Sequence, residues 1–206
     1  VGGYFYSNTI ELEKGITLTN KGRQDGMLIK YNAEGEVEWA RVIGGSDSDT
    51  ITSVAASEDG GYIVGGYFYS NTIELEKGII LTNKSYSDGM IIKYSAEGEA
   101  EWAKGIGGSD YDYITSVAVS SDGGYIVGGY FRSSTIELEN GITLTNKGNE
   151  NGMIIKYSAE GEAEWQKVTG GSFYDEIKSV AVSSDGGYIV GGYFKSSTIE
   201  LDNGIT

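Results

Sequence analysis

Short apolar runs, separated by polar segments rich in glycine, set the rhythm of the chain. Four of them stand out between residues 114 and 168: Ile114 to Ser120, Tyr125 to Phe131, Met153 to Tyr157 and Ala163 to Val168, here lettered A to D. Their length and their β-branched and aromatic content predict strands, and no segment sustains apolar residues at a 3.6-residue spacing over three turns, so no helix is expected. Ser121-Asp122-Gly123-Gly124 joins A to B, with Asp and Gly expected to supply positive φ, and Ala159-Glu160-Gly161-Glu162 joins C to D. D ends at Gly170-Gly171. The excursion between B and C, Ser133 to Asn151, holds Thr135-Ile136-Glu137-Leu138 and Ile142-Thr143-Leu144-Thr145 around Asn140-Gly141, which predicts a small hairpin.

The same series recurs every 63 residues without insertion or deletion, because Val1, Val64, Val127 and Val190 each open the phrase Val-Gly-Gly-Tyr-Phe. The periods are 1–63, 64–126, 127–189 and a partial 190–206, and the first two differ at 13 of 63 positions, so the units are expected to be structurally equivalent parts of one array. Alternate residues on both faces of B and C are apolar: Tyr125, Val127 and Phe131 oppose Ile126 and Tyr130, and Met90 and Ile92 oppose Ile91. Sheets apolar on both faces must stack face to face, which predicts an all-β fold, a β-propeller built from tandem four-stranded antiparallel blades and here partial. Small-residue strand A suits the innermost position and D, with Trp102 or Trp165 among charges, the outer edge. Gly128 and Gly129 should let a neighbouring blade approach closely. The chain reads B-C-D, two full A-B-C-D sets, then A-B, so open terminal blades are expected to drive self-association.

These phrases carry a resemblance. Asp88-Gly89-Met90-Ile91-Ile92-Lys93-Tyr94, Gly98 to Lys104, Gly107-Gly108-Ser109 with Asp112, and Ser120 to Phe131 resemble the bacterial SBBP-type β-propeller repeat, and strand A with its turn is similar to the inner strand of WD40 blades without the Trp-Asp dipeptide. The third copy departs at Gln166 to Thr169 and at Phe173, where the others have Asp47 and Asp110. The resemblance implies a bacterial, secreted or surface-exposed propeller with no assigned catalytic residues and no implied ligand.

A formal charge of −15 leaves no basic stripe for phosphate, so nucleic acid is not expected as a partner. No apolar run approaches the ~18 residues of a membrane helix, so membrane insertion is not expected either. With neither His nor Cys, the common triads, thiol nucleophiles and typical zinc sites have no donors. Glu99 and Glu101 could mimic a glycosidase pair, but Glu36 with Glu38 and Glu162 with Glu164 repeat them, and a catalytic constellation should be unique. Asp49, Asp112 and Asp175 invite a calcium reading, yet the Asp-x-Asp spacing is lost at Phe173, so capping of the turn before A is the expected role and no metal or other cofactor is expected. Tyr94, Tyr125, Tyr130 and Trp102 recur identically and read as core or blade-interface residues.

In a four-strand meander the A-to-B and C-to-D turns share one rim, and the B-to-C and D-to-A loops share the other. The first rim is nearly invariant, Ala-Glu-Gly-Glu being identical in all three copies. The second carries Gly22-Arg23-Gln24, Ser85-Tyr86-Ser87 and Gly148-Asn149-Glu150, then Ser46 to Thr50, Ser109 to Tyr113 and Ser172 to Glu176, joined by Tyr6, Tyr69, Arg132 and Lys195 from the end of B. Divergence in loops of residue types favoured in adaptable interfaces marks Arg23, Tyr86, Tyr111, Tyr113, Arg132, Asn149, Phe173 and Tyr174 as candidate binding residues; neutral drift of solvent loops is the alternative. The expected function is a non-enzymatic scaffold for a protein or glycan partner, with a self-associating stalk or filament module as the competing reading.

Overall fold

A computed structural model describes residues 1–199; residues 200–206, the end of the partial fourth period, lie outside the described residues. The first blade contains β1 (Gly2–Phe5), an excursion hairpin of β2 (Thr9–Glu11) and β3 (Thr17–Thr19), then β4 (Asp25–Tyr31) and β5 (Val37–Ile43). The second holds β6 (Asp49–Ala56), β7 (Tyr62–Phe68), the hairpin β8 (Thr72–Glu74) and β9 (Ile80–Thr82), β10 (Asp88–Tyr94) and β11 (Ala100–Ile106). The third repeats this with β12 (Asp112–Val119), β13 (Tyr125–Phe131), β14 (Thr135–Glu137), β15 (Thr143–Thr145), β16 (Asn151–Tyr157) and β17 (Ala163–Thr169). β18 (Asp175–Val182) and β19 (Tyr188–Phe194) are the A and B strands of a fourth. β6-β7-β10-β11 and β12-β13-β16-β17 are antiparallel meanders in chain order, and with β1-β4-β5 and β18-β19 they form a partial propeller-like repeat fold with no closed barrel.

Both faces of a blade are buried, as the two-sided apolar pattern requires. Val64, Met90 and Ile92 of the second blade pack with Leu28 of the first, while Ile63 and Ile91 on its opposite face pack with Val117, Tyr125 and Val127 of the third. Each such aliphatic side chain, removed from water, stabilises the stack by about 1.5–3 kcal/mol. The A strands β6, β12 and β18 touch in succession, consistent with the inner position expected for the small-residue strand, whereas the outer β11 and β17 meet the excursion hairpins β9 and β15.

The paired glycines of strand B divide their work. A Cβ on Gly65 would sit 2.6 Å from Val117 Cγ1 of the next blade, the close approach expected from sequence, but one on Gly66 would strike the Thr50 carbonyl of its own strand A. There the β6–β7 register slips between Ile51 and Ser53, leaving Thr52 as a bulge residue. The bulge turns Thr52 Oγ1 toward the next blade, where it lies 2.8 Å from the Ile114 carbonyl, and Ser53 Oγ accepts the Val117 amide at 3.1 Å. Thr115 and Ser116 make the same bonds to Ile177 and Val180. In the A-to-B turn only Gly123 has positive φ, at 82°; Asp122 instead accepts the Gly124 amide at 3.0 Å, correcting the expectation that Asp too would take that conformation.

The invariant rim is tied by a buried lysine. Lys93, 3% exposed at its side chain, reaches Asp59 of the A-to-B turn at 2.8 Å and Glu101 at 3.2 Å, and Lys156 repeats this with Asp122 and Glu164. Glu101 can reach because the β10–β11 register skips it, pairing Lys93 with Trp102 and Tyr94 with Ala100. Trp39 of the first blade donates to the Ala96 carbonyl at 3.0 Å, and its ring lies where a side chain on Gly98 would stand, so the Ala-Glu-Gly-Glu turn is itself an interface between blades.

Candidate functional site

At the opposite rim each blade is stitched from below. Parallel bridges join Gln24 to Ser48, Ser87 to Tyr111 and Glu150 to Tyr174, so the B-to-C and D-to-A loops lie side by side as the meander requires. Beneath the stitch, Asp112 accepts the Gly108 amide at 2.9 Å, the Arg132 and Ser133 amides at 3.2 Å each and the Ser133 hydroxyl at 2.6 Å. Asp49 and Asp175 accept equivalent sets, which is the capping role read from sequence.

A second buried carboxyl stands beside the first. Asp88 accepts the Lys84 amide at 3.0 Å, while its Oδ1 has no partner, and Asp25 Oδ1 is likewise unpartnered. In the third blade the same position is Asn151, whose Nδ2 donates to the Glu150 and Gly171 carbonyls at 3.0 and 2.9 Å. Burial raises the Asp88 carboxyl. It also pushes Asp112 up to about 6, against the Ser133 hydrogen bonds, with the charge of Asp88 adding to the rise.

On this base the diverged residues assemble a ladder across the blades. Tyr86 stacks on Tyr111, with centroids 5.1 Å apart and planes 18° from parallel. Arg132 lies between rings, its guanidinium 5.7 Å from Tyr111 and 5.8 Å from Tyr174, and is held by buried Glu150 at 2.8 Å. Lys195 follows, 5.7 Å from Tyr174 and 5.5 Å from Tyr193, and Phe173 packs edge-on against Tyr174 at 4.9 Å. Behind the ladder Tyr113 meets Tyr67 at 4.6 Å and Tyr130 at 5.0 Å, and its hydroxyl is 2.7 Å from that of Tyr69. Burial holds the Tyr113 and Tyr130 hydroxyls well above the usual tyrosine range.

Six of the eight candidate residues, Tyr86, Tyr111, Tyr113, Arg132, Phe173 and Tyr174, thus come together. Arg23 stands apart at the first-to-second blade junction, 80% exposed and 4.0 Å from Asp47, and Asn149 is exposed in the third B-to-C loop. Tyr130, read from sequence as a core or blade-interface residue, meets Lys178 of the fourth blade and also packs with Tyr113 in the rim cluster. Tyr67, Glu150 and Lys178 were not among the candidates; divergence alone could have flagged the last two, since Glu150 replaces Gln24 and Ser87, and Lys178 replaces Thr52 and Thr115.

Elsewhere the chemistry is already committed. Glu99 is paired with Lys77 at 2.9 Å and Glu101 with Lys93, so the two carboxylates serve different lysines. Among the described residues no three His, Cys, Asp or Glu side chains group as a metal site. A flank concavity between the second and third blades is lined by Ile80, Lys104, Leu138 and Glu139, with Gly105 where the other blades have Val42 and Val168. Lys104 and Glu139 form an ion pair across it.

No family model matches the chain. It is similar to the regulatory protein FlaEY of Caulobacter vibrioides, 27% identical over 146 residues covering 70% of this chain, and to an uncharacterized WD repeat-containing protein, L264, of Acanthamoeba polyphaga mimivirus, 24% identical over 210 residues covering 91%. The chain spans about 15% of the length of each of these relatives. A Bacteroides caccae protein of unknown function aligns over 92% of this chain and 64% of its own, at 10% identity and a TM-score of 0.29, a likeness too low to carry an argument. The WD-repeat likeness agrees with a repeat scaffold of propeller type.

Proposed function

We propose that this chain is a non-enzymatic recognition scaffold whose diverged rim binds a protein or glycan, within a bacterial secreted or surface protein of the SBBP type. One observation carries the reading: the interlocked ladder of Tyr86, Tyr111, Arg132, Tyr174 and Lys195 is built from positions at which the 63-residue units differ, on a frame that they share. Neutral drift scatters substitutions; it gives no reason for five of them to stack on one another across three blades. Aromatic rings with interleaved cations offer large contact area at small conformational cost, as adaptable binding surfaces do.

The test is binding to an array of glycans and surface proteins by the wild-type chain and by a variant with Tyr86→Arg, Tyr111→Ser, Tyr113→Thr and Tyr174→Ser, which restores the first-unit residues. A ligand held by the wild type and lost by the folded variant is the expected result; ligands held equally by both would refute the rim as the site. A self-associating structural module is the competing reading. Light scattering that shows ordered polymers, with no array ligand, would support it.

A further inference from the structure

Building on the rim as a recognition surface, we propose that its second-to-third blade junction captures an arginine or lysine side chain of a basic polypeptide segment on the open face of Tyr86. Toward the fourth blade the tyrosine faces are served by the chain's own cations. Arg132 lies against Tyr111 and Tyr174, Lys195 against Tyr174 and Tyr193, and Lys178 is 5.0 Å from Tyr130 and 5.7 Å from Tyr193. One unit earlier, the positions of Arg132, Lys178 and Lys195 hold Tyr69, Thr115 and Arg132, so two of the three cations are absent. Five tyrosines, Tyr67, Tyr69, Tyr86, Tyr111 and Tyr113, therefore gather where Arg132 reaches only Tyr111.

The end of that series is Tyr86. One ring face is covered by Tyr111, and the residue is 59% exposed, so the next place in the ladder, which elsewhere on this rim takes a cation, faces solvent. The surroundings favour a positive group. The chain carries −15 and Asp110 precedes Tyr111 in the same loop, while the nearby cation Lys84 is turned onto the Gly107 carbonyl at 2.9 Å. Net negative charge steers a basic partner to the rim, and the tyrosine face then holds its cation. A neutral glycan gains nothing from the charge, and the Ser85 hydroxyl beside Tyr86 already donates to the Ser109 carbonyl at 3.0 Å.

The experiment titrates the 206-residue chain with octa-arginine, and separately with cellohexaose, following Tyr86 by NMR and comparing wild type with Tyr86→Phe, Tyr86→Ala and Tyr86→Arg. Octa-arginine is expected to bind the wild type and Tyr86→Phe alike, to bind Tyr86→Ala about fivefold more weakly, and to weaken with salt. Tyr86→Arg carries the residue that the first unit has at this place, Arg23, and is a folded control expected to bind weakest. Equal binding of octa-arginine by wild type and Tyr86→Ala would mean that charge alone acts, and would overturn the inference. Cellohexaose binding that depends on Tyr86, with octa-arginine indifferent to it, would also overturn it while leaving the recognition rim intact. Array ligands unaffected by the rim substitutions would remove the rim reading itself.

Discussion

At the scale of single residues, the paired carboxyls under the rim make stability depend on pH. Asp112 and Asp88 both have raised values in the folded state, through burial first, and Asp25 and Asp49 shift the same way. A raised folded value means that the stabilisation is complete below the unfolded carboxyl value of about 4 and is lost as pH rises through the folded one, about 6 for Asp112. Of the two, Asp88 has the carboxyl less committed as an acceptor, its Oδ1 being unpartnered, whereas Asp112 has four donors aimed at it. Urea unfolding should therefore show a lower midpoint at pH 8 than at pH 5. Asp88→Asn, copying Asn151, should gain about 1 kcal/mol at pH 8 and flatten the profile; an unchanged profile would contradict the pairing. The capping aspartates were legible in the sequence because they precede strand A in every unit. Their partners were not, because strand C was read as beginning at Met153 when it begins at Asn151, two residues earlier.

At the scale of elements, stability rests on how one strand fits the next. Gly65→Val should cost about 1–3 kcal/mol, since Val117 of the next blade occupies the space, and thermal melts against wild type measure it. Removing both partners of Lys93, with Asp59→Asn and Glu101→Gln, should destabilise by roughly 2 kcal/mol more than Lys93→Met, because an unpaired buried ammonium is worse than none. Equal losses would mean that the lysine is solvated through its half-exposed partners. The four strands, their order and their two buried faces could be read from alternation and turn residues. The bulges at Thr52 and Glu101 could not, because an extra residue in one strand leaves no mark on an apolar pattern that is two-sided. Those bulges direct the Thr52 hydroxyl across the blade junction and the Glu101 carboxylate onto Lys93, so the missing detail was the part that joins strands into an array.

At the scale of the whole molecule, the diverged aromatic and cationic residues that stack on one another lie on one rim, and the nearly invariant turns lie on the other. Trp39 on Gly98, and Lys93 between Asp59 and Glu101, occupy the rim that barely changes; Tyr86, Tyr111, Arg132 and Tyr174 occupy the one that does. Divergence marked most of the residues that cluster on this rim, but not Tyr67 and Tyr130, which do not vary and join the cluster only because Tyr113 inserts between them. The most direct measurement of the central claim is the hydrogen-exchange footprint of whichever array ligand binds the wild-type chain. Protection confined to residues 84–87, 108–113, 131–133 and 171–175 is the result this account predicts. Protection centred on the invariant turns at residues 57–61, 95–99, 120–124 and 158–162 would place recognition on the opposite rim and contradict it.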